Sequence, residues 1–358
     1  MIGIISFLSP RYAQFIYKYT EVLEKNKIKY EVIYWNRENV DYGFNSNWIG
    51  YEKEINTFQP FYKKILGFIQ YTKFMYKKIK ERKYDKLIVL TSQTAIPLFP
   101  LLIGKYKNKY IYDYRDVTYE NIFIYKKIVK MLIDSSFLTA ISSEGFKKVL
   151  NLKDDKKIIL SHNTREFDKK EIEKTYSDKI RIVYWGMIRQ LEFNYKICDL
   201  FSNISEIELI YHGAGYDEEL KKYCVLNNYK NIKFTGAYML DEIRNFVENS
   251  DFVLNSYEND KQQQPAMTVK YYDSLMYGIP MIVNKNSFMS KKVESKKLGI
   301  SVDWKNTNEV DEVIEEIKKF DYKEYQKCRT TEIENIKKDD KFFYDKLLHF
   351  CVYGGKNE

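Results

Sequence analysis

The sequence predicts an α/β protein with two doubly wound, Rossmann-like parallel-sheet domains that face each other across a cleft. Three observations support this prediction. Short apolar segments alternate with helical segments along the chain, as parallel sheets require. A polar, charged stretch at residues 162–179 interrupts the alternation once, after which it restarts. The length of 358 residues exceeds one ordinary domain and suits two.

The first series of elements predicts an N-terminal domain over residues 1–163. Apolar residues recur with helical spacing in three segments, so helices are expected at residues 13–25, 61–82 and 142–150. Short apolar segments separate them, so strands are expected at residues 1–9, 29–35, 86–90, 109–113, 136–141 and 157–160.

The second series predicts a C-terminal domain over residues 164–340. Its strands are expected at residues 180–185, 207–212, 232–235, 252–255 and 280–283. Open parallel sheets bind ligands outside the carboxyl ends of their strands. We therefore expect the ligands of both domains in the cleft between them.

Composition excludes several classes of protein. Hydrophobic residues at 44% and charged residues at 30% argue against a disordered or fibrous chain. No apolar run approaches the ~20 residues of a membrane-spanning helix, and the N-terminus has no basic stretch before its apolar residues, so no secretory signal is expected. The four cysteines are far apart, which argues against a disulfide framework and favours a reducing cytoplasm.

The net charge of +9 is unevenly distributed between the two halves. Residues 1–150 contain 25 Lys and Arg against 14 Asp and Glu, a balance of +11. The remaining residues contain 34 against 36, a balance of −2. This asymmetry predicts that the two domains have different partners.

The most informative segment is QQPAMTVKYYDSLMYGIPMIV at residues 263–283. It predicts a helix that begins near Thr268 and ends at a left-handed cap on Gly278, with Pro280 preventing continuation. An apolar face is expected on Val269, Tyr272, Leu275 and Met276.

Lys270 and Asp273 are three residues apart on a different face of this predicted helix. The helix N-terminus suits a phosphate, Lys270 would add its ammonium group, and Asp273 could accept hydrogen bonds from a ribose diol. On spacing alone, a capped surface helix with an ion pair worth a few tenths of a kcal/mol is the favoured explanation.

The same segment resembles the donor-binding signature of GT-B glycosyltransferases, particularly family four, which often reads P-x-K-x-x-E-x-x-x-x-G-x-P-V-I. The match includes Lys270, Gly278 and Pro280, with Asp273 at the usual Glu position. Further stretches resemble the family in the expected order: YIYDYRDVTYE (110–120), LTAISSEGF (138–146), IILSHNT (158–164), VYWGMIR (183–189), IYHGAGYDEEL (210–220) and IKFTGAYMLDEI (232–243).

The resemblance implies a role for each matching donor-site residue. Arg189 and Lys270 would hold the donor diphosphate and stabilise its charge during catalysis, and Asp273 would bind the ribose. Glycines would permit close approach of the backbone to the ligand, and residues 236–238 would line the base. The complete implied donor site is Gly186, Arg189, Gly213, Gly215, Gly236, Ala237, Tyr238, Met267, Thr268, Lys270 and Asp273. Pro265 replaces the second Glu that contacts the donor sugar in the family.

On the acceptor side, Arg115 and Asp116 follow a predicted strand and would face the cleft. Asp116 is a candidate catalytic base or acceptor anchor, although an Asp that caps the following segment is an equal alternative. Arg11 is a third candidate acceptor residue. The last helix, at residues 341–352, would return to the N-terminal domain as such chains commonly do, so that residues 341–358 would complete that domain.

We expect neither a metal nor a cofactor. The three histidines, His162, His212 and His349, are widely separated, and no acidic pair has metal-ligand spacing. Structural roles are the simpler explanation for these histidines. The resemblance also implies transfer without a divalent ion.

Residues 61–83 form a basic amphipathic segment with eight basic residues and a single acid, Glu81. Its predicted apolar face consists of Ile65, Phe68, Ile69, Thr72, Met75, Tyr76 and Ile79. Together with the aromatic and basic residues at 122–133, this pattern fits peripheral contact with an anionic membrane surface. A core-packing helix with a solvated basic face explains it almost as well. Nucleic-acid motifs are absent from the sequence, so we expect no nucleic-acid partner.

The sequence therefore predicts a glycosyltransferase that moves a sugar from a nucleoside diphosphate-sugar to a glycan or lipid-linked glycan. By resemblance, the process would be synthesis of bacterial surface polysaccharide such as capsule, at the inner face of the cell membrane, with retention of configuration. Two alternatives stay open. One is a non-catalytic GT-B partner subunit, which stays an alternative because Pro265 replaces the sugar-contacting Glu of the family. The other is a nucleotide-sugar 2-epimerase, which the scattered histidines disfavour.

Overall fold

The computed structural model describes residues 1–55, 59–152, 156–164, 178–306 and 310–354, with the side chain of Leu240 excepted. The chain divides into two compact units. Unit 1 comprises Met1–Arg165 and Lys338–Glu358, and unit 2 comprises Glu166–Lys337. The predicted boundaries after residues 163 and 340 lie two and three residues from these.

Unit 1 contains a parallel seven-stranded sheet. The strands are β1 (Ile2–Ser6), β2 (Tyr30–Asn36), β3 (Trp48–Glu52), β4 (Lys86–Leu90), β5 (Tyr110–Tyr114), β6 (Leu138–Ile141) and β7 (Ile158–Leu160), in the order β3-β2-β1-β4-β5-β6-β7. The helices are α1 (Ile16–Lys25), α2 (Phe61–Arg82), α3 (Ser92–Ala95), α4 (Phe99–Ile103), α5 (Phe123–Ser135) and α6 (Gly145–Leu150). The central strands are buried on both faces, as expected for a parallel sheet covered by helices.

Unit 2 contains a parallel six-stranded sheet. The strands are β8 (Ile180–Trp185), β9 (Ile207–His212), β10 (Ile232–Gly236), β11 (Phe252–Leu254), β12 (Met281–Asn284) and β13 (Gly299–Val302), in the order β10-β9-β8-β11-β12-β13. The helices are α7 (Leu191–Phe201), α8 (Asp217–Leu226), α9 (Ile243–Glu248), which follows a 3₁₀ turn at Leu240–Glu242, α10 (Val269–Tyr277), α11 (Phe288–Ser295) and α12 (Asp311–Lys318). Two apolar clusters form its core.

The final helix, α13 (Tyr322–Tyr353), begins in unit 2 and ends in unit 1. In unit 1, Phe343, Leu347 and Phe350 are fully buried in the same cluster as Ile4 of β1 and Ile16 of α1. Residues 341–352 were predicted as a separate helix, which is too short. The residues before them are rich in Lys and Glu, so their few apolar side chains give little helical periodicity.

The two parallel-sheet α/β domains confirm the predicted fold class. Each sheet reverses its strand order once, between β1 and β4 in unit 1 and between β8 and β11 in unit 2. Such a reversal is the usual ligand-binding point of a doubly wound sheet. Among the described residues, the helices are all too short or too polar to cross a bilayer. The predicted polar stretch at 162–179 lies mostly outside the described residues.

Some predicted boundaries were wrong. The helix predicted at 13–25 begins at Ile16, and the one predicted at 142–150 begins at Gly145, because turns occupy the residues before each. The apolar face predicted on α10 does not describe the helix. Every residue from Lys270 to Tyr277 is buried, whereas Val269 is 38% exposed. This helix is enclosed within unit 2 and does not lie on its surface.

Candidate functional site

Three glycine-containing loops lie side by side at the carboxyl ends of β8, β9 and β10. The Gly186 N–H donates to the His212 carbonyl over 3.0 Å, and the Gly213 N–H donates to the Gly236 carbonyl over 2.7 Å. All three glycines have positive φ, of +121°, +146° and +80°. Such backbone conformations favour glycine because other residues carry a Cβ.

The loops are packed so closely that Gly213 and Gly215 cannot carry a side chain. A Cβ on Gly213 would lie 1.8 Å from the Gly186 carbonyl oxygen, and one on Gly215 would lie 2.4 Å from the Ile188 carbonyl oxygen. Ile188 in turn donates its N–H to the Ala214 carbonyl over 2.8 Å. The glycines therefore set the path of this loop pair. Gly236 has open space around its Cβ direction and permits a side chain sterically.

Lys270 connects the buried helix α10 to the loop of Gly186. Its ammonium group donates to the Tyr257 hydroxyl over 2.5 Å and lies 3.6 Å from the centroid of the Tyr184 ring. A Cβ on Gly186 would lie within 3.8 Å of the same nitrogen. The cation thus lies at the ends of β8 and β11, where the strand order of this sheet reverses.

Burial lowers the pKa of Lys270 well below its usual value. The carboxylate of Asp273, one turn further along α10, opposes this shift, and the positive charge of Arg189 adds to it. A dianionic group near Lys270 would favour its charged form and offset the cost of burial. The positive charges of Lys270 and Arg189 would therefore complement an anionic ligand.

Arg189 lies in the exposed loop between β8 and α7. Its guanidinium Nε contacts the sulfur of Met187 at 3.3 Å, and its positive charge reaches the Tyr184 and Tyr257 hydroxyls as well as Lys270. Asn194, in the first turn of α7, donates to the Arg189 carbonyl over 2.5 Å and so holds the loop. The side chain of Arg189 is exposed to solvent at this edge of the sheet.

Hydrogen bonds hold both ends of α10 in place within unit 2. The Thr268 hydroxyl donates to Asn255 Oδ1 over 2.9 Å, and Gly278 ends the helix in the predicted left-handed conformation at φ +78°. The buried guanidinium of Arg329, on α13, donates to the carbonyls of Leu275 and Met276 over 2.5 and 2.7 Å. These contacts satisfy carbonyls that a helix end otherwise leaves unpaired, so Lys270 and Asp273 are held on a rigid element.

The other predicted donor-site residues differ in their exposure. Asp273 is buried on α10, and the side chain of Met267 packs into the core of unit 2, which leaves only its backbone for a ligand. Ala237 is exposed, and the half-buried Tyr238 ring contacts Phe246 edge to face at 5.2 Å. The predicted donor-site residues therefore lie on the loops after β8, β9 and β10 and at the start of α10.

Sequence reasoning missed Tyr184 and Tyr257, which form the immediate surroundings of Lys270. Tyr184 donates to the Met187 carbonyl over 2.6 Å, and the backbone carbonyl of Tyr257 accepts from Asn284 over 2.7 Å. The signal that could have identified them is topological. Both tyrosines lie at the ends of the strands that flank the reversal of strand order.

Arg115, a predicted acceptor residue, is buried in unit 1, and both of its Nη atoms make hydrogen bonds there. Its Nε lies 2.8 Å from Asp113, and its Nη atoms donate to Ser161 and Asn163 over 2.8 to 3.0 Å. This geometry favours a structural role over direct contact with an acceptor. Asp116 and Arg11 are both exposed, and the Arg11 guanidinium lies 6.0 Å from the Tyr12 ring.

The residues of the described ranges include no group of three or more His, Cys, Asp or Glu side chains that could hold a metal ion. Of the histidines, His212 is buried against the Phe246 ring, with centroids 3.7 Å apart, and its Nδ1 lies 2.8 Å from Thr235 Oγ1. His162 lies 3.0 Å from Asp339. His349 stacks on Phe137.

Solved structures with the same two-domain fold identify it as GT-B. Sucrose-phosphate synthase from Thermosynechococcus elongatus aligns with a TM-score of 0.73 at 11% identity, over 97% of this chain and 98% of that one. HepE from Anabaena in complex with UDP aligns with a TM-score of 0.66 at 13% identity, over 97% and 99%. The lipopolysaccharide outer core galactosyltransferase WaaB aligns with a TM-score of 0.61 at 13% identity, over 98% and 99%.

The sequence adds a family match within this fold. Residues 202–349 match the model of the glucosyltransferase 3-like C-terminal domain. No curated protein matches the sequence of this chain. The domain match and the GT-B fold agree with the prediction made from the sequence, and the chain is a glycosyltransferase.

Proposed function

We propose that the chain transfers a sugar from a nucleoside diphosphate-sugar to a glycan or lipid-linked glycan acceptor during bacterial surface polysaccharide synthesis, without a metal ion and with retention of configuration as in family four. The observation that carries this proposal is the Lys270 ammonium, buried beside the Gly186 loop. Structures of the same fold were solved with UDP and with UDP-2-fluoro glucose, which supports a nucleoside diphosphate donor.

The proposed chemistry depends on charge. Cleavage of the bond between the sugar and the nucleotide leaves negative charge on the departing diphosphate, and cations fixed before the reaction stabilise it. Lys270 supplies a buried cation and Arg189 an exposed one. The loss of one such contact costs roughly 10²–10³ in rate. Asp273 accepts hydrogen bonds from the ribose, and the exposed carboxylate of Asp116 in unit 1 serves the acceptor.

The donor site is tested by thermal shift with UDP, GDP, dTDP, ADP and CMP in EDTA. A nucleotide at 100 times its dissociation constant stabilises the protein by about 2.7 kcal/mol, or roughly 5–10 °C. We expect one nucleoside diphosphate to shift wild type and to lose its effect in Arg189→Ala. Arg244→Ala is the matched control, since Arg244 is exposed in the same unit and pairs with Glu248.

Turnover separates this proposal from its alternatives. A shift that depends on a divalent ion would contradict metal independence, and no shift with any nucleotide would contradict the donor site. Nucleotide binding without transfer to any glycan would favour the non-catalytic partner subunit. Interconversion of a nucleotide-sugar without an acceptor would identify the epimerase. The configuration of the product, read by proton NMR, tests retention.

We also propose that unit 1 contacts an anionic membrane surface, and the exposed apolar residues of α2 support this contact. The buried stripe of α2 is Gly67, Tyr71, Met75 and Ile79. Met75 and Ile79 of the predicted apolar face belong to this stripe. Ile65 and Ile69 of the same predicted face are 44% and 45% exposed, because the helix packs on every fourth residue. On α5, Phe123 and Ile124 are 79% and 69% exposed. Exposed apolar side chains among lysines favour an anionic membrane surface.

Vesicle sedimentation tests this contact. We expect wild type to bind vesicles of phosphatidylglycerol and phosphatidylcholine and to bind pure phosphatidylcholine several-fold more weakly. Leu66→Asp should reduce binding about tenfold, because it places a charge on the exposed face of α2. Val352→Asp, at a similarly exposed position of α13, is the control. Equal losses in both variants would contradict a specific role of α2.

A further inference from the structure

Unit 1 contains an open cavity of about 760 Å³ between α2, the segment that includes α3, and the segment that precedes α5. This volume lies within the range of small-molecule binding sites. Its walls come from three stretches of the chain: residues 68–76, 92–97 and 118–125. None of the sequence motifs described above assigns a role to residues 92–97.

Most hydroxyl groups in the cavity wall are paired within the protein. Thr72 donates to the Phe68 carbonyl over 2.9 Å, and Tyr76 donates to the Pro97 carbonyl over 3.1 Å. Ser92 pairs with Tyr112 at 2.7 Å, and Thr118 pairs with Tyr125 at 2.6 Å. The wall therefore presents mainly aromatic rings and aliphatic carbons, with Lys73, Gln93 and the exposed Tyr119 as the other polar side chains of the lining.

This wall favours a hydrocarbon occupant over a peptide. A peptide would bring backbone N–H and C=O groups into the cavity, and each would need a hydrogen-bond partner, of which the paired hydroxyls leave few. A hydrocarbon chain needs none and gains from the removal of its surface from water.

The charges around the cavity indicate the chemistry of the head group that such a hydrocarbon carries. Lys73 lies in the lining, and Lys126 and Lys127 come directly after Tyr125, which also lines it. Ile69 and Tyr119, at 45% and 61% exposed, continue the apolar wall to the surface. A chain that enters the cavity would thus place its head group near Lys73, whose ammonium group complements a phosphate.

We propose that this cavity binds the hydrocarbon chain of a lipid whose head group is a phosphate. The lipid would be the carrier of the sugar acceptor, an assignment that rests on the proposed glycosyl transfer. Binding in the cavity differs from the surface contact of α2, because it accommodates one chain per molecule and has a defined length limit.

Titration calorimetry with dodecyl phosphate, below its micelle concentration, tests the cavity. We expect one site per chain and an affinity that rises up to about fourfold per methylene from octyl to dodecyl phosphate. Inorganic phosphate should bind at least 100-fold more weakly. Thr72→Phe, which fills the cavity, should weaken dodecyl phosphate at least tenfold. Thr331→Phe is the matched control, since Thr331 also donates to the carbonyl four residues earlier in a helix and is exposed in unit 2.

A second variant tests the cavity in case Thr72→Phe does not fold. Tyr119→Ala removes an exposed part of the wall and should weaken binding about fivefold without repacking of the core. An affinity independent of chain length would overturn the proposal, as would unchanged binding in both variants. If dodecyltrimethylammonium bound as tightly as dodecyl phosphate, the proposed preference for a phosphate head group would be overturned. If an apolar peptide bound more tightly than dodecyl phosphate, the proposal that the occupant is a lipid would be overturned.

The thermal shift with nucleotides keeps the two proposals distinguishable. If dodecyl phosphate binds as expected but no nucleotide shifts the melting temperature, the glycosyl-transfer proposal fails and the lipid cavity stands. If a nucleotide shifts the melting temperature but no alkyl phosphate binds, the lipid cavity fails and the donor site stands.

Discussion

The Lys270 ammonium lies 3.6 Å from the centroid of the Tyr184 ring and donates to the Tyr257 hydroxyl over 2.5 Å. Two aromatic residues thus surround a buried cation. The negative face of an aromatic ring attracts a cation and offsets part of the cost of its burial. An incoming diphosphate would be expected to compete with the Tyr257 hydroxyl for the same ammonium group.

Tyr257→Phe should therefore tighten nucleoside diphosphate binding. The variant keeps the ring, whose centroid lies 4.7 Å from the ammonium, but removes the competing hydroxyl. A hydrogen bond to a charged group is worth about 1.5–3 kcal/mol, so the dissociation constant should fall by about tenfold or more. Calorimetry with the nucleotide that shifts wild type measures this. A tenfold loss of affinity would show instead that the hydroxyl contacts the ligand.

Lys270→Met should abolish nucleotide binding without lowering the stability of the unliganded protein. The pKa of Lys270 is lowered by burial, so between its folded and unfolded pKa values the unfolded chain binds one more proton. The stability of wild type then rises with pH in this window, and Met lacks this dependence. The melting temperature of the variant relative to wild type should accordingly be higher at pH 7 than at pH 9.

The exposed Lys291→Met provides the control for this substitution. It should keep both the nucleotide shift and the pH dependence of wild type. A drop of several degrees in the melting temperature of unliganded Lys270→Met would contradict the expectation, because it would make Lys270 a stabilising residue of the fold.

Gly213→Ala should destabilise unit 2 by roughly 3 kcal/mol or more. Its Cβ would lie 1.8 Å from the Gly186 carbonyl oxygen at a φ of +146°, so the loops must separate. Gly236→Ala has a positive φ but open space around the Cβ, and should cost about 1 kcal/mol. Urea unfolding of both variants measures the difference. Equal losses would show that backbone strain, and not the contact between loops, sets the requirement for glycine.

His212→Gln should flatten the acid side of the stability profile. Burial lowers the pKa of His212 to about 4, so as the pH falls from 6.5 to 4 the unfolded state takes up a proton before the folded state does. Wild type therefore loses up to about 3 kcal/mol over this window through His212. Chemical unfolding at pH 4.5 and 7 compares the variant with His349→Gln, whose histidine is exposed. Parallel profiles for all three proteins would contradict the role of His212.

The sequence was sufficient for the architecture because parallel strands are local apolar segments. The boundaries of β4, β8 and β9 were predicted without error, as were those of α2. Strand β3, Trp48–Glu52, was missed because its side chains are only half-buried and the alternation of the sheet edge is weak. The spacing of apolar residues indicates which face of a helix or strand is buried. It does not indicate which other element covers that face.

The same limit of local spacing explains why the predicted surroundings of the site differ from those in the structure. The helical spacing of α10 separates an apolar face from Lys270 and Asp273, yet the fold buries both faces. Contact of Arg115 with an acceptor stays a prediction, made because the residue follows a strand; in the structure Asp113 and Ser161 of its own unit engage its side chain. Tyr184 and Tyr257 are 73 positions apart in the sequence, and only the strand order brings them to one cation.

The path of α13 has a consequence for synthesis on the ribosome. Phe343, Leu347 and Phe350 fill the core of unit 1, whereas the rest of that unit is translated before residue 166. Unit 2 is one continuous segment and has its whole sequence available once Lys337 has emerged. Part of the apolar core of unit 1 therefore stays uncovered while some 170 residues are added. The segment translated first is the last to complete its fold.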